Sequence, residues 1–140
     1  MTTRTRADLI TEVLDQLGVL AAGQTPAAED VAKIDNRLDN VLEEISALGI
    51  YTVQMPGTIG AADGEYPAEI IPSLGSCVAN RCAGSFGLGG DPALDVMARR
   101  AEKTLYTIQR PLPARRFLNT DAALRGVRLY PGRGSFSNGT

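Results

Sequence analysis

Between Thr25 and Gly49 the apolar residues Val31, Ile34, Leu38, Val41, Ile45 and Leu48 recur at alternating steps of three and four. That spacing draws one stripe along a helix and fits no strand. Thr25 reads as the N-cap, Pro26 as the first helical residue and Gly49 as the left-handed stop. At about 1.5 Å per residue the rod is about 35 Å long. With one apolar face it must bury that face against the rest of the chain.

Three more helices follow from the same kind of pattern. Residues 5–18 carry a broad face of Leu9, Ile10, Val13, Leu14 and Leu17, with Thr5 as cap, Asp8 in the first turn and Gly18 at the end. The short AAGQ connection predicts an antiparallel hairpin with the long helix. Glu69 to Leu88 reads as a third helix that Pro72 either opens or kinks, with Ile70, Ile71, Leu74, Val78 and Phe86 as core and Cys82 permitting close packing. Asp91 and Pro92 repeat the cap-and-proline device before a fourth helix. Its buried side is expected from Leu94, Val96, Met97, Ala101, Leu105 and Ile108, and its basic side from Arg99, Arg100 and Lys103. Between the second and third helices, IYTVQM has strand character. The Gly/Pro-dense PGTIGAADGEYP after it reads as a loop or loose hairpin, with Ile59 and Tyr66 able to pair its arms.

RPLP, residues 110–113, stops the fourth helix. Beyond it the pattern vanishes: residues 114–140 hold five Arg, four Gly and single apolar residues without a stripe. Alone, such a segment buries too little surface to offset its ordering entropy, so it reads as an arm that orders on a partner. The expected architecture is mainly α: a small four-helix bundle over 1–113 with a short β hairpin or extended loop, and an extended C-terminal arm over 114–140.

Composition removes several chemistries. The 140 residues include no histidine, which excludes Ser–His–Asp, Cys–His and histidine-metal arrangements. Cys77 and Cys82 are spaced as neither a redox pair nor half of a familiar zinc site, and read as small buried apolar residues. GSFGLGG follows a helix where a dinucleotide loop follows a strand, and PGRGS lacks the Lys-Ser/Thr of a phosphate loop. Adjacent Glu43 and Glu44 point about 100° apart on a helix and make no acid–base pair. Asn138-Gly139-Thr140 is a formal glycosylation sequon without meaning unless the chain is secreted. No catalytic, cofactor or metal residue is expected, and the chain does not read as an enzyme. No apolar run is long enough to span a membrane, and the N-terminus lacks a signal-peptide core, so a chain made in a cytoplasm is expected.

Charge is uneven. Residues 1–80 carry four Lys/Arg against twelve Asp/Glu, a net of −8, whereas residues 81–140 carry ten against four, a net of +6. Asp35, Asp39 and Glu43 form an acidic ridge at i, i+4 and i+8. It reads either as a solvated face or as a partner for Arg99, Arg100 and Lys103 of a neighbouring copy. The basic tail suggests at most a few arginines beside a DNA path, because the whole chain is acidic, with pI near 5.1.

The opening TRADLITEVLDQLGVL, the long acidic helix closing in ALGIY, the Pro-led Ala/Cys-rich helix ending SFGLGGDP, the fourth helix running into a basic Pro-rich stop and the tail LYPGRGSFSNG follow in an order that resembles head-to-tail adaptors of short-tailed bacteriophages. These are also called tail accessory or packaged-DNA stabilisation proteins. The resemblance covers nearly the whole chain and rests on element order and lengths.

It implies a virion protein of the phage neck, made in the host bacterial cytoplasm and assembled as a homo-oligomeric ring, usually dodecameric, beneath the portal protein. Such a ring extends the DNA channel without sequence-specific binding, helps retain the packaged genome and docks a tail nozzle or tail-tube protein. The arm residues expected to meet the portal or a neighbour are Arg115, Arg116, Phe117, Arg125, Arg128, Leu129, Tyr130, Arg133 and Phe136. Two other readings stay open: a connector of a long-tailed phage or gene-transfer particle, and a small helical DNA-binding regulator. The second lacks a visible helix-turn-helix with a basic second helix.

Overall fold

In a computed structural model, residues 2–21, 23–58 and 63–110 are described. The protein is mainly helical with a small two-strand antiparallel pairing. In chain order the elements are β1 (Thr3–Arg4), α1 (Arg6–Gln16), α2 (Ala28–Ala47), β2 (Tyr66–Pro67), α3 (Ile71–Cys82), a 3-10 turn (Ala83–Phe86) and α4 (Pro92–Gln109). All nine arm residues named above lie outside the described residues, as does Ile59.

The first helix forms as its sequence predicts. The Thr5 hydroxyl accepts the Asp8 N–H at 3.3 Å while the Asp8 carboxylate accepts the Thr5 N–H at 3.0 Å, a complete capping box. Leu9, Ile10, Val13, Leu14 and Leu17 are all buried. Asp91 likewise caps α4, accepting the Ala93 N–H at 2.8 Å.

The start of α2 differs from expectation. The helix opens at Ala28 with Ala27 as an extended cap and no side-chain capping bond, so Thr25 and Pro26 precede it. Glu29 and Asp30 in its first turn offset the positive helix end instead. Gly49 does adopt the left-handed conformation, at φ 68°.

The hub of the body is α3. Every residue from Leu74 to Ala79 is buried, because α1, α2 and α4 all pack around this helix. Its small residues permit that. A Cβ added at Gly75 would sit 2.9 Å from Glu12 Cγ, so α1 approaches where only glycine leaves room. Cys77 and Cys82 are both buried free thiols, as small packing residues. The helix is shorter than its apolar run, because the chain tightens into the 3-10 turn and Gly87, at φ 72°, ends it.

On α4 the buried seam is Leu94, Ala98, Ala101 and Leu105. Val96, Met97 and Ile108, expected inside, are exposed. Two alanines form the contact line against α3, and the Cys77 thiol approaches the Ala98 carbonyl at 3.8 Å. The seam steps by four and three residues, so Val96, about 200° around from Leu94, faces away from it and Met97 and Ile108 lie at its flank.

The expected strand over residues 50–55 shrinks to one bridge, Met55 to Glu65. Residues 66–67 pair instead with the N-terminal Thr3–Arg4. Pro56 and Pro67 have no N–H to donate, so neither pairing extends into a longer ladder.

Candidate functional site

Arg6, the first residue of α1, lies fully buried among three other parts of the chain. Its Nε donates to Asp35 Oδ1 at 2.7 Å and its Nη1 to Asp39 Oδ1 at 2.7 Å. Its remaining donors reach the Asp35 and Pro56 carbonyls, both at 3.3 Å. The Tyr66 hydroxyl donates to the same Pro56 carbonyl at 2.7 Å. Burial works against the Arg6 charge, but the bonds to Asp39 and Asp35 outweigh it and raise its pKa. Burial also pushes the Tyr66 phenol up to about 12.

This cluster anchors the loop between α2 and β2. The Arg6 N–H donates to the Asp63 carbonyl at 3.0 Å. The Asp63 carboxylate in turn accepts the Thr58 N–H at 2.9 Å and hydroxyl at 2.8 Å. Those bonds, the backbone one first, lower the Asp63 pKa. The arrangement joins α1, α2, β2 and the loop into one body.

The cluster also redraws the acidic ridge. Asp35 is only 3% exposed and bound to Arg6 within its own chain, which takes it out of reach of a neighbouring copy. Asp39 is half exposed but shares the same guanidinium. Of the ridge, Glu43 alone stays in water without an ion pair among the described residues. Two further acids are engaged through Arg81, which pairs with Glu44 and Glu102, both at 3.2 Å, and ties α2, α3 and α4 together.

The basic residues expected on α4 do lie outward. Arg99 is exposed and pairs with Asp95 at 2.9 Å, while Arg100 and Lys103 are exposed without an ion pair among the described residues. Four large apolar side chains accompany them: Val96, Met97, Tyr106 and Ile108, each more than 40% exposed. At about 100° per residue Val96 shares the outward side with Arg100 and Lys103, whereas Met97 and Ile108 lie on one flank and Tyr106 on the other. Val96 and Met97 beside two cations have the chemistry of a docking face. A groove of about 500 Å³ runs along α1, lined by the acids Asp8, Glu12 and Asp15, the cation Arg4 and the apolar Leu20, Ile71 and Pro72.

A second groove, of about 370 Å³, lies between residues 51–55 and the paired strands. No cluster of three or more His, Cys, Asp or Glu residues suited to a metal occurs among the described residues. No helix among them is long and apolar enough to cross a membrane. No family model matches the chain, and no curated protein or solved structure matches it.

Sequence reasoning missed Arg6. The signal was present: Arg6 precedes Leu9, Ile10 and Val13 by three, four and seven residues and so continues the buried face of its helix.

Proposed function

We propose that this chain is a structural subunit of a head-to-tail adaptor, which forms a ring beneath a phage portal, extends the DNA channel and docks tail components. The observation that carries this reading is the outward side of α4, where Val96 and Met97 stand exposed beside Arg100 and Lys103. Exposed apolar side chains gathered on one helix are costly to leave in water and favour burial in an assembly. The helical body and the order of its elements agree with the resemblance of the sequence to such adaptors. In this reading the basic, aromatic-spaced segment from residue 114 binds the portal, and DNA passes through the ring without sequence-specific contacts.

The test is co-sedimentation of the purified chain with assembled rings of the portal protein produced alongside it. The full chain is expected to sediment with the rings. A version ending at Pro113 is expected to keep its helical circular dichroism, because the core described above is built from residues before 111, and to lose portal binding. Failure of the full chain to bind any portal ring would overturn the adaptor reading.

A further inference from the structure

We propose that copies of this chain associate head to tail through two particular helix faces, with the outward face of α4 on one copy seated against the α1 groove of the next. The proposal rests on the assembly reading above and names the surfaces that make the contact. α1 and α4 both pack on α3, so one body presents both faces. They differ in sign, and a heterologous contact joins two different patches of identical subunits.

The α1 face is net acidic and partly apolar. Three carboxylates, Asp8, Glu12 and Asp15, line the groove of about 500 Å³ with one cation, Arg4, and with Leu20, Ile71 and Pro72. Val19 lies just past the helix, 38% exposed. The α4 face is basic with apolar side chains projecting from it. Lys103, Arg100 and Val96 step back along the helix by three and seven residues. Glu12 and Asp15 step forward by the same three, and α1 ends at Gln16. Laid antiparallel, the two helices therefore place Lys103 by Glu12 and Arg100 by Asp15. They bring Val96 and Met97 to the chain past the end of α1, where Val19 is exposed and Leu20 lines the groove. Val96 and Met97 then have apolar side chains to meet, and both cations meet carboxylates.

The ridge on α2 does not compete for this role. Arg6 of the same chain already binds Asp35 and Asp39, and Arg81 holds Glu44. Neither Arg100 nor Lys103 has an ion-pair partner among the described residues of its own chain, and Asp15 likewise has none. An edge ion pair in water is worth little by itself. Here the apolar contact supplies the driving force, and the charges set which faces meet and in which register.

Two double variants test the contact by sedimentation velocity at low and moderate salt. Glu12→Lys with Asp15→Lys makes the α1 face basic; Arg100→Glu with Lys103→Glu makes the α4 face acidic. Each alone opposes like charges and is expected to remain monomeric at concentrations where the wild-type chain assembles. Mixed in equal amounts, the two restore opposite charges at every contact and are expected to assemble with alternating subunits. That rescue requires both variants to be folded, and circular dichroism of each confirms it. Assembly of either variant alone to the wild-type extent would overturn this contact and leave the adaptor reading intact. Failure of folded variants to rescue one another would overturn it too. A wild-type chain that binds the portal yet stays monomeric both there and at high concentration would also overturn it. Portal binding, measured separately, reports on the adaptor reading.

Discussion

The Arg6 guanidinium and the Asp35 carboxylate meet at 2.7 Å with both side chains withdrawn from water, joining the first residue of α1 to the middle of α2. Taking two charges out of water is costly, and the pair is tolerable because the guanidinium also donates to Asp39 and to the Asp35 and Pro56 carbonyls. Removing one partner strands the other. Arg6→Met is expected to destabilise the body by about 3–5 kcal/mol in urea unfolding, whereas Arg6→Met combined with Asp35→Leu recovers much of the loss. Asp39→Asn, at a half-exposed carboxylate, is expected to cost less than about 1 kcal/mol. Equal stabilities of Arg6→Met and wild type would show that the cluster does not hold the fold.

Leu38 and Leu48 belong to one sequence stripe but to different environments. Leu38 is fully buried, and Leu48 is 61% exposed beyond the end of α2. Leu38→Ala is expected to lower stability by about 2–5 kcal/mol through lost burial and the cavity left behind. Leu48→Ala should stay within about 0.5 kcal/mol. Denaturant midpoints of the two variants measure the difference directly.

The Thr5–Asp8 capping box gives the body an acid-sensitive end. Hydrogen bonds from Thr5, chiefly its backbone N–H, hold the Asp8 pKa below its ordinary 3.8. A folded pKa lower than the unfolded one stabilises the fold above the unfolded value, and the contribution is lost as pH falls through the folded value. Asp8→Asn should therefore flatten the stability profile below about pH 4. Thr5→Ala should cost about 0.5–2 kcal/mol at neutral pH. An unchanged acid limb in Asp8→Asn would assign that limb to other carboxylates.

Cys77 and Cys82 sit on the hub helix with no access to solvent. Burial pushes the Cys77 thiol up to about 11 and raises Cys82 as well. Both are expected to resist a thiol-specific reagent at neutral pH in the native protein, and to react together once denaturant unfolds the body. Rapid labelling of the native chain would show that α3 opens locally.

Much of this protein is determined by local pattern. The capping box at Thr5, the Asp91–Pro92 start of α4, the buried face of α1 and the left-handed glycine after α2 are decided within a few residues, because caps and helical periodicity depend on neighbours along the chain. Tertiary structure decided the rest. Periodicity marks α2 as the longest stripe but does not rank helices, and α3 is the hub because its Gly, Ala and Cys positions let three helices approach. Contact with α3 also set the α4 seam along Leu94, Ala98, Ala101 and Leu105, which leaves Met97 at its flank and Val96 facing away. The acidic ridge likewise read as surface, but Arg6, 29 residues before Asp35 in the chain, buries Asp35 and pairs with the half-exposed Asp39. Ion pairing across that separation leaves no local signature, since it exists only once α1 and α2 have met.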